Sequence, residues 1–258
     1  MSVVIAIANQ KGGVGKTTTA IHLGAALAEL GRRILLVDLD PQSAMSASLG
    51  IDSYRLEETI YNVLVDSRVP IQNVICHIRP NLDIVPSNID LAAAEIELIS
   101  AIGREYILKE ALTPVRDNYD YILVDSPPSL GLLTVNALTA ADEIIIPLQC
   151  EFLALRGMRF LLETIDRVKT KLNPHLEIRG ILGTMYNTRT LHAQEVMDEI
   201  RSIFGDKVFD VVIRSSIRFA EAPVVQQSLL EYDPNHEGAV AYRKLAEVIV
   251  NDEKTSQP

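Results

Sequence analysis

Asn9-Gln10-Lys11-Gly12-Gly13-Val14-Gly15-Lys16-Thr17-Thr18 follows a short apolar run, Val3 to Ala8, and precedes a stretch with helical apolar spacing. A strand, a glycine-rich turn and a helix N-terminus together form a phosphate cradle, because backbone N–H groups converge there on one point. Gly12, Gly13 and Gly15 let the chain take φ > 0 and come close to an anion, with Val14 between them. Lys16 places a point charge near β- and γ-phosphates, and the Thr17 hydroxyl suits Mg²⁺, with Thr18 opening the helix behind it. The loop is irregular. The pattern G-x-x-x-x-G-K-[ST] asks for glycine five residues before Gly15, where this chain has Gln10 followed by a second lysine, Lys11. The ligand expected is ATP with Mg²⁺.

Working outward, short β-branched runs alternate with helical patterns along the whole chain. Strands are expected at Val3–Ala8, Arg33–Asp38, Asn81–Val85, Tyr121–Asp125, Glu143–Leu148, Glu177–Met185 and Val208–Ile213. Helices are expected at Thr17–Leu30, Leu91–Ile99, Glu105–Asp117, Leu132–Ala140, Leu155–Leu172, Ala193–Ile203 and near Gly238–Val250. Ile34–Val37 and Ile144–Ile146 are apolar without alternation, as in strands covered on both faces. This order predicts an α/β fold: a mainly parallel, twisted sheet with helices on both faces. The reading is one domain over residues 1–258, with the polar stretch 251–258 fraying as a tail.

In such sheets the ligand sits beyond the carboxyl ends of the strands, and chemistry-bearing residues cluster there. Asp125 closes an apolar strand and enters Ser126-Pro127-Pro128-Ser129-Leu130-Gly131; it suits the metal shell of the ion on Thr17, acting through water. The bland alternative is a carboxylate capping the next turn. Asp38 and Asp40, in Asp38-Leu39-Asp40-Pro41-Gln42, form a second acidic pair. Hydrolysis needs a group that orients the attacking water. Spacing leaves open which of the two does so; Asp40, fixed by Pro41, is the choice, with Asp38 supporting the metal shell or Lys16.

Bulk properties exclude several classes. A net charge of −10 argues against a uniformly basic nucleic-acid binder, though not against a local basic patch. Cys76 and Cys150 lie in no metal-type spacing and read as reduced cysteines of a cytoplasmic protein. No basic segment precedes a long apolar stretch at the N-terminus, and no apolar run reaches about 18 residues, so neither a signal peptide nor a membrane span is expected.

Three motifs carry a family resemblance: Lys-Gly-Gly-Val-Gly-Lys-Thr-Thr at 11–18, Asp-Leu-Asp-Pro-Gln at 38–42 and Asp-Ser-Pro-Pro-Ser-Leu-Gly at 125–131. Pro-Leu-Gln-Cys-Glu-Phe at 147–152, Met-Tyr-Asn-Thr-Arg-Thr at 185–190 and Glu-Ala-Pro at 221–223 extend it over almost the whole chain. The sequence resembles the ParA/Soj family of DNA-partitioning ATPases, in the deviant Walker-A group that also holds MinD-type proteins, and so implies a P-loop NTPase fold. No added N-terminal DNA-binding domain is expected, as in the short chromosomal branch. The resemblance implies an ATP-sandwich homodimer in which Lys11 reaches the partner's phosphates, making Lys11 and Lys16 catalytic along with Asp40. It implies DNA binding without sequence preference through Arg189, Arg214 and Arg218, with Arg243 and Lys244 as further candidates, and a ParB-type partner on the nucleoid. A lone arginine is more commonly a solvated surface charge. Where relatives often read Ile-Pro-Arg-x-Val-Arg, this chain reads Ile213-Arg214-Ser215-Ser216-Ile217-Arg218, and Arg156 stands where the family commonly has glutamate. Asn187 is similar to the adenine-contacting position of relatives, against the alternative of a turn asparagine. Ser216–Pro223, including Pro223, would form the opposite wall. A MinD-like membrane role would need an amphipathic C-terminal helix, which Asn-Asp-Glu-Lys-Thr-Ser-Gln-Pro does not provide. A nitrogenase-reductase-like role would need cluster-bridging cysteines, and neither cysteine is suitably placed.

Overall fold

The computed structural model describes residues 2–151, 154–187 and 191–256. Its centre is an eight-stranded sheet ordered β3-β4-β2-β5-β1-β6-β7-β8, built from β1 (Val3–Ile7), β2 (Ile34–Asp38), β3 (Cys76–Arg79), β4 (Leu82–Val85), β5 (Tyr121–Asp125), β6 (Glu143–Gln149), β7 (Glu177–Tyr186) and β8 (Val208–Arg214). Every pairing is parallel except β3 with β4.

Strand periodicity explains why the central strands read as unbroken apolar runs. Val4, Ala6 and Ala8, with Leu35 and Val37, Ile122 and Val124, and Ile144 and Ile146, face one layer of helices. Ile5 and Ile7, with Ile34 and Leu36, Tyr121 and Leu123, and Ile145, face the other. Both sets are buried, so alternation in direction leaves no alternation in polarity. The second layer is the Lys16–Glu29 helix packed on the closing helix, Glu237–Ser256. The first includes Ile60–Val65, Leu91–Glu97, Ile107–Leu112, Leu132–Ala140, Ala154–Lys171 and Leu191–Phe204.

Three departures from the sequence reading have local causes. The edge strand β3 has only four residues, none of them buried, and so carries no apolar pattern; its mark is Pro80-Asn81, where Asn81 takes φ 64° in the reversal into β4. The helix expected over Glu105–Asp117 is α-helical only at Ile107–Leu112 and tightens to 3₁₀ over Thr113–Asn118, where Pro114 lacks the N–H an α-helix needs. The closing helix runs to Ser256 and so takes in Asn251 to Ser256 of the stretch expected to fray. Among the described residues no helix is long and apolar enough to cross a membrane.

The Lys16–Glu29 helix sits close to the sheet because Gly24 has no side chain there. A Cβ at Gly24 would lie 2.8 Å from Leu36 Cδ2 and 3.5 Å from Leu123 Cδ1. Gly24→Val is therefore expected to cost about 1–3 kcal/mol by overpacking, measured by urea unfolding. Adding Leu36→Ala should recover part of that loss; no recovery would show that the crowding is elsewhere.

The same helix buries His22 completely. Its Nδ1–H donates to Thr18 O at 2.6 Å while Nε2 has no described partner, and burial lowers the imidazole pKa to about 4 against a weaker upward pull from the Thr18 carbonyl. The unfolded chain binds this proton at the ordinary 6.5, so His22 favours folding fully above that pH and loses its contribution as pH falls towards about 4. Thermal unfolding between pH 7 and 4 should show a fall in midpoint that is shallower in His22→Phe. Parallel profiles for the two proteins would remove His22 from the acid response.

Candidate nucleotide site

The turn after β1 is held on both sides before any ligand is considered. Asn9 Nδ2 donates to Pro147 O at 2.7 Å, and its Oδ1 accepts from Lys11 N at 3.0 Å. Thr184 Oγ1 donates to Val14 O at 2.8 Å, so β6 and β7 both anchor the loop. Gly13 and Gly15 take φ 73° and 87°, the left-handed region that glycine enters without penalty, and Gly15 caps the Lys16–Glu29 helix. The free N–H groups of that helix's first turn form the anion-binding end expected from the sequence.

Lys16, 6% exposed, points its ammonium at the carboxyl edge of the sheet and lies 3.5 Å from Lys11 O. Burial pulls its pKa down, and the negative charges of Asp125 and then Asp40 push it back up. Asp38 and Asp125 stand opposite each other in the parallel register of β2 and β5, and both are fully buried. They differ in what they hold. Asp38 Oδ2 accepts from Ser46 N at 2.9 Å and Ser46 Oγ at 2.7 Å, and its Oδ1 accepts from Asp40 N at 3.3 Å. Burial nonetheless raises its pKa to about 6. Asp125 has no well-formed hydrogen bond to either oxygen; burial, then the charge on Asp38, lifts its pKa well above the carboxylate range, against the pull of the Thr17 hydroxyl and Lys16. A buried carboxylate without a full set of donors beside a threonine hydroxyl fits a divalent cation, which would supply the missing charge. Asp40 is at the rim, its Oδ1 accepting from Gln42 N at 2.9 Å in a tight turn. The structure thus brings Lys16, Thr17, Asp38, Asp40 and Asp125 together.

Lys11 lies apart from them. Its Nζ donates to Gln149 Oε1 and to Glu151 Oε2, both at 2.8 Å, just beyond β6 and at the surface. Gln149 and Glu151, the partners of Lys11, were not identified from the sequence. Their signal is the Pro-Leu-Gln-Cys-Glu run, in which β6 ends beside the loop.

Beside Gly15 and Thr18 opens a cleft lined by Thr184, Met185, Ile213, Arg214, Ser215, Ser216, Phe219 and Tyr242. Met185 takes φ 50°, an uncommon conformation for its residue type that clusters at binding sites. His22 stacks on Tyr242 with ring centres 5.3 Å apart and meets the Phe219 edge at 5.2 Å, which stiffens the wall. Asn187 and Pro223 fall outside that lining, Asn187 two residues past Met185. The aromatic wall of Phe219 and Tyr242 carries no short motif, and only packing reveals it.

The arginines expected to meet DNA are differently placed. Arg189 lies outside the described residues. Arg214 pairs with Glu237 at 2.7 Å; Arg218 pairs with Glu221 at 2.8 Å and approaches Asp233 at 3.9 Å, over the Tyr232 ring. Arg243 is bound to Glu29 at 2.6 Å. Arg214 and Arg218 remain about half exposed, 49% and 47%, where such pairs contribute little to stability and exchange partners readily.

Comparison with known proteins agrees with this geometry. A family model described as an AAA domain matches residues 2–178. The sporulation initiation inhibitor protein Soj of Bacillus subtilis is 48% identical over 249 residues, covering 96% of this chain and 98% of that protein. The chromosome partitioning protein ParA of Caulobacter vibrioides is 48% identical over 256 residues, covering 98% and 96%. Among solved structures, cobyrinic acid a,c-diamide synthase from Mycobacterium smegmatis, with bound ATP analogue and magnesium, superimposes with a TM-score of 0.88 at 40% identity, covering 100% of this chain and 98% of that one. At such identity over nearly the whole of both chains, this chain belongs to the ParA/Soj family of partitioning ATPases.

Proposed function

We propose that this chain is an ATP-driven dimerisation switch of the cytoplasm and nucleoid, which binds DNA without sequence preference and partitions chromosome or plasmid DNA with a ParB-type partner. Hydrolysis of ATP to ADP and phosphate resets it. The observation that carries the reading is the divergence of the two loop lysines. Lys16 is buried among its own subunit's aspartates, while Lys11, with 42% of its side chain exposed, is held at the surface by Gln149 and Glu151. One lysine serves the nucleotide in cis, and the other is available to a second subunit.

The chain's own groups divide the work. The Gly12–Thr18 backbone and Lys16 bind the phosphates, and Thr17 with Asp125 would hold Mg²⁺. Among the described residues no group of three or more His, Cys, Asp or Glu forms a metal cage. That leaves one or two protein oxygens plus ligand oxygens, the coordination Mg²⁺ takes with nucleotides. When bound, the ion neutralises charge on the phosphates. Asp40 orients the attacking water from the rim, and Asp38 acts through the turn, fixing Asp40 N and Ser46. Lys11 from the partner adds positive charge in a dry interface, where it is worth most while the γ-phosphate remains.

DNA contact through Arg214, Arg218 and Arg189 requires those in ion pairs to exchange carboxylate for phosphate. On one subunit these arginines are paired with Glu221, Asp233 and Glu237, and a dimer would let one DNA engage two such sets at once, so that weak exchanges add through avidity.

ATP turnover of the protein alone, with DNA, and with DNA plus a ParB-type partner tests the reading, together with gel shifts across a salt series. Synergy between DNA and partner is expected, with an ATP-dependent shift that weakens steeply as salt rises. Indifference to both additions would assign the switch to another cargo.

The lysine division predicts opposite effects at the two ends of one ion pair. Lys11→Ala should keep nucleotide binding but lose ATP-dependent dimers in sedimentation with a non-hydrolysable analogue. Glu151→Ala should release Lys11 and let dimers form at a several-fold lower nucleotide concentration. Intact dimers in the first variant would end the proposed role of Lys11.

A further inference from the structure

We infer that Ser216, locked as a hydrogen-bond donor by His236, is a positioning and specificity residue that reads a ring-nitrogen acceptor of the nucleobase; this rests on the nucleotide reading above. Gly238 N donates to His236 Nδ1 at 3.0 Å, so that nitrogen is the acceptor and the ring proton of neutral imidazole is on Nε2. Nε2 lies 3.0 Å from Ser216 Oγ and therefore donates to it. Arg218 N donates to the same oxygen at 3.2 Å. A serine hydroxyl has two lone pairs and one proton. Both lone pairs are engaged, so the group left to Ser216 is its proton, and Ser216 lines the cleft beside Gly15 and Thr18.

The surroundings keep this arrangement fixed. His236 N donates to Asp233 O at 3.0 Å, which anchors the residue at the start of the closing helix. The imidazole meets the Phe219 ring edge-on, with centres 6.2 Å apart at 83°. A Cβ on Gly238 would fall 2.6 Å from Phe219 Cζ and 3.1 Å from His236 Nδ1, so a glycine is needed for the approach. The cleft is also lined by Thr184, Arg214 and Ser215, and by Phe219, Tyr242, Ile213 and Met185. The last four offer flat or apolar surface suited to an aromatic ring, and a nucleobase presents ring nitrogens that accept a hydroxyl proton.

The test uses the full chain with Mg²⁺ and compares ATP with its 1-deaza, 3-deaza and 7-deaza analogues in wild type and Ser216→Ala. One analogue should bind wild type about three- to tenfold more weakly than ATP, the effect of one neutral hydrogen bond. That penalty should vanish in Ser216→Ala, whose KM for ATP rises with kcat unchanged. Ser216→Thr should restore the penalty, and His236→Phe, which frees the hydroxyl to turn, should reduce it. Equal binding of all four nucleotides by wild type, or a penalty that persists in Ser216→Ala, overturns the inference while leaving the switch reading intact. Failure of wild type to bind ATP at all would overturn both.

Discussion

The arrangement turns on an excess of buried negative charge at the carboxyl edge of β2 and β5. Parallel register sets Asp38 against Asp125, and the chain then turns to bring Asp40 to the same rim, with Lys16 as the cation that faces them. Burial works against three of them: it lowers the affinity of Lys16 for its proton and raises those of Asp38 and Asp125. Ser46 and the Asp40 amide satisfy Asp38 locally. Asp125 has no equivalent donors, only the Thr17 hydroxyl and the more distant charge of Lys16. The site is therefore built for additional positive charge, and a metal-bound nucleotide brings that charge with phosphates the glycine loop can hold.

Much of this was legible in the sequence because it depends on short spacings. Gly13 and Gly15 stand where the backbone must turn left-handed, and Lys16 and Thr17 follow at once on the helix. Asp38 and Asp125 are strand-final residues, so their placement needed only the strand ends and the rule that ligands sit beyond them. What escaped depends on contacts between distant segments. The cleft joins Thr18 to Phe219 and Tyr242, more than 200 residues on; the resemblance implies Ser216–Pro223 as a wall, but no local pattern marks the two aromatics as one surface. Spacing leaves open which of Asp38 and Asp40 orients the water, since Ser46, which holds Asp38, sits in a five-residue helix with no periodic signal. The antiparallel β3 is a half-exposed edge, where neither burial nor alternation leaves a trace.

The arginines show the opposite limit. Sequence identifies residues that could bind phosphate, but only the fold reveals that Arg214 and Arg218 already face Glu237, Glu221 and Asp233. In a chain of net charge −10, that neutralisation makes nonspecific affinity for DNA a matter of small differences.

The two lysines and the base cleft then belong to one device with separate inputs. Thr184 donates to Val14 O inside the glycine loop and also lines the cleft, so β7 touches both the phosphate turn and the base wall. The same loop continues back to Lys11, whose ammonium rests on Gln149 and Glu151 past the end of β6, and β6 pairs with β7 through Gln149 and Thr184. The cleft, the glycine loop and Lys11 are thus linked by hydrogen bonds across two adjacent strands. Under the proposed dimer switch, a phosphate in a second subunit would compete for Lys11 with the exposed Glu151 ion pair and the Gln149 hydrogen bond. Such a pair is weak, so the equilibrium between the two arrangements is one that nucleotide binding can shift.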